Sequence, residues 1–346
     1  MRKLLIAVVL SMLLVVPVQA AEITAPAAPE GAEAYMPEDP MDFLSGFWKI
    51  LGKALGAVRP DLKEAGKVCL GLIASVLLVS ALRSSSEQIK QTANLTGTAA
   101  IAATLLLSVN SMIPLADNTI RDMCDYGKLL LPVMTSAMAA QGAGATSAAL
   151  YAGTALFIGW ISDLVSRILV PGVYLFLALS IASAAVGESV LKEIAGLLKW
   201  AASWCLKTVL TVFITYMSIT GVIGGSADGA AVKAMKAAVS TAVPVVGGIL
   251  SNAAESVLAG AGLMKSAAGI YGIFAVLAIF LEPFLRIGSH YLMLKITGSV
   301  CSVFGCSELS DLIGDFSAGM GLLLAMTASV CVLLLFSTIC FMKGVG

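Results

Sequence analysis

Runs without a single charged residue, divided by short charged clusters, set the pattern of this chain. They cover 68–82 (15 residues), 91–116 (26), 129–162 (34), 168–187 and 208–227 (20 each), 237–254 (18), 266–281 (16) and 316–342 (27). About 20 apolar residues in a helix cross the ~30 Å hydrocarbon core of a bilayer, so these runs predict membrane-spanning helices. The run at 129–162 is too long for one span. Gln141, Gly142, Ala143 and Gly144 break the helical pattern near its middle, and it reads as a hairpin of two tight or re-entrant helices with Pro132 in its first arm.

The stretch 240–272 is apolar enough for a membrane yet poorly built to cross one as a plain helix. Pro244 removes a backbone donor and strains the preceding turn, and Gly247 and Gly248 follow at once. Glu255 and Lys265 then stand among apolar residues, where each charge costs roughly 2.5–3.5 kcal/mol at a helix centre. Broken backbone survives in hydrocarbon only where protein or a watery cavity supplies hydrogen-bond partners. Two readings stay open: a broken or re-entrant element inside a bundle, or a kinked span followed by an amphipathic surface helix. Pro132, Gly142, Gly144, Pro244, Gly247, Gly248, Asn252, Glu255 and Lys265 form the candidate structural or pore element.

Residues 1–20 have the pattern of a cleaved signal peptide. Arg2 and Lys3 precede a 13-residue apolar run, Pro17 breaks it, and Val18-Gln19-Ala20 offers a small-x-small cleavage site. Residues 21–67 follow as an extracytoplasmic segment, with a Pro-, Ala- and Glu-rich unstructured tether up to Pro40. From Asp42, the spacing of Phe43, Leu44, Phe47, Trp48, Leu51 and Leu55 predicts an amphipathic helix. The multi-spanning domain is 68–346. Within it, 188–199 reads either as an interfacial helix or as a cytoplasmic extension of the next span.

Charge then orients the spans. With 21–67 outside, the positive-inside rule places Arg83, Lys90, Lys192, Lys199 and Lys207 inside. The acidic cluster Asp117, Asp122 and Asp125 becomes an outside connector. Segment 266–281 returns the chain inside near Arg286, and 287–307 crosses outward again, leaving Glu308, Asp311 and Asp315 outside. Asp163 and Arg167, four apart, form a local ion pair at a short loop.

Composition supports the class. Hydrophobic residues make up 59% of 346, charged residues only 12%, and mean hydropathy is +0.96, too apolar for a soluble domain of this length. Lys and Arg balance Asp and Glu at 21 each, so no basic field points to nucleic acid. The phosphate-loop pattern GxxxxGK[ST] and the zinc-protease pattern HExxH are both missing, and Gly224-Gly225-Ser226 lacks the GxSxG context. No pair of carboxylates falls within one apolar run. Cys301 and Cys306 are spaced CxxxxC, but His290 is the single His, so a zinc site is not expected, and Cys69, Cys205, Cys331 and Cys340 read as packing thiols. The expectation is a non-enzyme without metal or cofactor. Small residues, among them Gly221, Gly225, Gly319 and Gly321, favour close helix packing.

Two blocks carry a resemblance. LLLPVMTSAMAAQGAGATSAALY (129–151) resembles the Leu-Pro-rich, Gly-rich and Thr-Ser-Ala-Ala block of the stage III sporulation protein AE family of endospore-forming bacteria. VPVVGGILSNAAESVLAGAGLMKSAAG (243–269) resembles its Pro-Val-Val-Gly block, with Glu255 and Lys265 on the family's acidic and Lys positions. The order of segments agrees over nearly the whole chain, although the N-terminal segment is short and 225–230 abbreviates a loop. The resemblance implies a polytopic component of a secretion-like channel complex in the mother-cell-derived outer forespore membrane. It also implies work beside a separate ATPase, other membrane proteins and ring-forming partners. The expected fold is an all-α polytopic bundle of about seven to nine transmembrane or re-entrant helices. The alternative is a self-contained secondary transporter with broken helices at 129–162 and 237–265.

Overall fold

The computed structural model describes residues 25–29, 31–36, 43–83, 87–140, 144–187, 189–219 and 267–343. The signal segment 1–20 and most of the stretch 240–272 lie outside the described residues. All regular structure among the described residues is helical: α1 Phe43–Arg83, α2 Glu87–Ala140, α3 Gly144–Leu164, α4 Val170–Val186, α5 Ser189–Ile219, α6 Ala267–Cys301 and α7 Ser307–Lys343. A five-residue π-helical turn, Val165–Leu169, joins α3 and α4 without interrupting the rod. Counting that rod once, six helices among the described residues are long and apolar enough to cross a membrane.

Helix α7 is the axis. It packs against α2, α3, α4, α5 and α6, and 83% of its most apolar stretch is buried, against 17% for α5. Its partner α6 is nearly as enclosed. Two hydroxyls fix the antiparallel register of this pair: Ser310 Oγ donates to Gly298 O at 2.8 Å, and seven residues further along α7 Ser317 Oγ donates to Tyr291 O at 3.2 Å. Close approach follows from Gly298, where an added Cβ would touch the Gly314 nitrogen at 3.4 Å. Gly319 faces Leu177 of α4 and Gly321 faces Tyr291 of α6, the close-packing role expected of them.

Helices α1 and α6 run parallel in a steady register. Arg286 of α6 meets Asp61 and, just past the end of α6, Phe304 O accepts from Ser80 Oγ, separations of 225 and 224 residues. One end of the bundle, the Arg83 end, gathers the end of α1, the start of α2, the α4–α5 turn and the α6–α7 turn. Gly187 (φ 77°) and Gly305 (φ 73°) make those two turns in the left-handed conformation that a Cβ disfavours. The other end, the Ala140 end, holds the ends of α2, α5 and α7 and the starts of α3 and α6.

Several expected boundaries are corrected. Segments 266–281 and 287–307 do not cross separately; α6 runs through Glu282, Pro283 and Arg286 as one helix of 35 residues. Glu308 and Asp311 therefore share an end with Arg83 and Lys192, shown by contacts of 2.9 and 2.7 Å. The acidic connector is the interior of α2, 54 residues long. There Asp117 is held by Arg121 at 3.0 Å and by Ser166 Oγ at 2.7 Å, and Asp125 by Lys128 at 2.8 Å. Asp163 and Arg167 do pair, at 3.0 Å, across the π-helical turn rather than at a loop. Of segment 188–199, the residues from Ser189 onward are an extension of the next span, since α5 is continuous from there.

The expected tether also differs. Residues 25–29 and 31–36 lie against the bundle, with Ala28 and Ala32 buried. The Ala28 amide donates to Tyr271 Oη at 3.3 Å, Tyr126 Oη donates to Pro26 O at 3.4 Å, and Lys53 Nζ donates to Ala34 O at 2.6 Å. The helix predicted from Asp42 is present, but its inward stripe is Ile50, Ala54 and Val58. Phe47 and Leu51 flank that stripe, and Trp48 and Leu55 face outward.

Candidate functional site

The residues singled out from sequence divide sharply. Pro132 sits inside α2 on its exposed side, eight residues before Ala140, and the helix continues through it. A helix-interior proline loses one backbone hydrogen bond and presses its ring on the carbonyl four residues back. Gly144 opens α3, so 129–162 divides where expected, but its arms are not a separate tight or re-entrant hairpin: the first is the end of the long α2 and the second is the start of the α3–α4 rod. Gly142, Pro244, Gly247, Gly248, Asn252, Glu255 and Lys265 lie outside the described residues.

What sequence reading missed is a half-buried polar cluster between α1, α2 and α6. Arg286 Nε donates to Asp61 Oδ2 at 2.8 Å, and its Nη2 lies 3.9 Å from Glu282 Oε1, one turn back on α6. Tyr35 reaches the same carboxylate from the N-terminal segment; burial and the Glu282 charge push its phenol pKa up. One turn along α6, His290 Nδ1 and Ser108 Oγ of α2 are 3.1 Å apart. Two carboxylates thus share one guanidinium in the middle of the helix pair. Charges inside a bundle persist when they neutralise one another, and here they tie α1 to α6. No local signal could have joined Asp61 to Arg286.

At the Arg83 end the polar contacts are denser. Arg83 bonds Glu308 of α7 at 2.9 Å and also donates to Asn94 of α2, tying three helices together. Beside them, Lys192 of α5 bonds Asp311 of α7 at 2.7 Å on the edge of a cavity of about 380 Å³. An adjoining hollow of about 230 Å³ shares Lys192, Asp311 and Asp315 and reaches Ser180 of α4. The Ser180 hydroxyl is buried beside Asp315 without a hydrogen bond of ordinary geometry. Cys69, Cys301, Cys306, Cys331 and Cys340 are buried free thiols and Cys205 is half-buried.

The family model described as stage III sporulation protein AE matches residues 40–346. A protein of Bacillus subtilis (strain 168) named stage III sporulation protein AE is 27% identical over 205 residues, covering 58% of this chain and 51% of the relative. The match therefore spans about half the relative's length. No solved structure matches the chain.

Proposed function

The chain belongs to the stage III sporulation protein AE family, and on that premise we propose that it is an integral membrane component of a channel complex linking mother cell and forespore. It sits in the mother-cell-derived outer forespore membrane and acts without catalysis of its own, beside a separate ATPase and ring-forming partners. The observation that carries this reading is the family match across 40–346, almost the whole helical region. The bundle is compatible with assembly: α7 and α6 form an enclosed centre, while α1 to α5 leave much apolar surface uncovered, including Leu70, Leu107, Leu156 and Trp160. Such surface suits lipid or neighbouring helices.

Compartment-specific expression tests the reading. In sporulating cells lacking the protein, forespore development stops; a copy expressed in the mother cell restores it, and a copy expressed only in the forespore does not. Restoration from the forespore alone contradicts the placement. A second reading, the secondary transporter, draws on the open polar cleft beside α7, because transporter sites combine charged groups with cavities between helices. A transporter restores development when reconstituted alone with its substrate gradient, and a channel component does not.

A further inference from the structure

The cleft at the Arg83 end has chemistry that the channel reading leaves unused. Helices α5 and α6 both pack on α7, and residues of all three line this cleft. Lys192 and Lys199 line the cleft from α5, two turns apart, with Lys295 of α6 across from them and Asp311 and Asp315 on the α7 floor. Lys192 is taken by Asp311, and among the described residues Lys199 and Lys295 have no carboxylate within ion-pair distance. Three ammonium groups face two carboxylates, an excess of one positive charge.

The hydroxyls narrow the ligand further. Ser299, Ser302, Ser310 and Ser317 each donate their proton to a backbone carbonyl, so their oxygens remain as acceptors. The cleft thus offers cations for one negative charge and acceptors for a donor-rich group beside it. Its depth is also informative. Helix α7 carries Glu308, Asp311 and Asp315 in its first turns and no charge over 316–342, so the cleft lies where polar helix gives way to apolar helix. Trp200 and Trp204, stacked at 6.3 Å and exposed on α5, are interface anchors at that level. Exposed Leu292, Ile296 and Val300 run along α6 beside the opening, an apolar track for acyl chains.

We propose that this cleft binds an anionic phospholipid with a hydroxylated headgroup, its phosphodiester between Lys199 and Lys295 and its hydroxyls on Asp315 and the serine oxygens. Basic pockets between membrane helices recognise phosphate headgroups by this chemistry. A free phosphodiester would satisfy the polar groups but leave the α6 track empty.

Native mass spectrometry of the full-length protein in detergent tests the proposal. The protein is offered equal phosphatidylglycerol, phosphatidylethanolamine and phosphatidylcholine with the same acyl chains. The expected result is preferential retention of phosphatidylglycerol, weakened about fivefold for each of Lys199→Gln and Lys295→Gln. Lys207→Gln, a lysine of α5 outside the cleft, leaves the preference intact. So does the double Arg variant of Lys199 and Lys295, which separates loss of charge from loss of fold. Equal retention of the three lipids, or undiminished preference in the double Gln variant, overturns the proposal. Binding of deacylated glycerophosphoglycerol as tight as that of the whole lipid overturns the lipid as the occupant.

Discussion

Replacing Arg286 with Gln removes the cation that both Asp61 and Glu282 face. Breaking a fully buried pair costs about 3–5 kcal/mol because a charge is stranded. Here Arg286 keeps 32% of its side-chain exposure, Asp61 21% and Glu282 28%, so solvent screening reduces the loss to about 1.5–3 kcal/mol. Asp61→Asn should cost less, about 1–1.5 kcal/mol, since Glu282 remains beside the guanidinium. The double variant leaves only Glu282 stranded and should be less damaging than the sum, with a coupling of about 1 kcal/mol. Equilibrium unfolding in mixed micelles, followed by helical circular dichroism, gives all three values. Equal losses for the two single variants, with additivity within about 0.3 kcal/mol, refute the reasoning, because they would mean that the pair does not hold α1 to α6.

Gly153 and Gly159 of α3 make a controlled comparison. A methyl group at Gly153 overlaps the Tyr216 ring, whose hydroxyl donates to Ala149 O at 2.7 Å, whereas Gly159 faces open space. Gly153→Ala should therefore destabilise by about 1–3 kcal/mol, and Gly159→Ala should be neutral or stabilise by up to about 1 kcal/mol, both read by the same unfolding assay. In a cysteine-depleted chain, single cysteines replacing Lys192 and Glu308 should react with an impermeant thiol reagent from one face, and one replacing Thr24 from the other. Labelling of the first two from opposite faces contradicts the single crossing of α6. Thr154→Val strands the Ser337 hydroxyl, now 2.9 Å from Thr154 Oγ1 in a buried contact, and should cost about 1–2 kcal/mol; an unchanged unfolding midpoint removes that bond from the packing account.

The charge-free runs marked the helices well and their joins poorly. The division near Gly144 was legible because Gly and Gln residues interrupt the apolar pattern there. The continuity of α6 through Glu282 and Arg286 was not, since charge in a one-dimensional pattern reads as the end of a span. The partner that makes Arg286 tolerable is Asp61, 225 residues away, and Asp117 inside α2 is likewise matched by Ser166 of the neighbouring rod. The pairing of Lys192 with Asp311 inverts the side expected for 308–315 for the same reason. The family blocks were legible from residue order, and the residues they single out in 243–269 fall outside the described helices.

The most direct measurement is isolation of the protein from sporulating cells, after gentle solubilisation, with identification of everything that accompanies it in proportion. The account predicts recovery together with several other membrane proteins and a separate ATPase, and loss of that company when the outer helices α1 to α5 are disrupted. Recovery alone or as a homo-oligomer from fully solubilised membranes would contradict it.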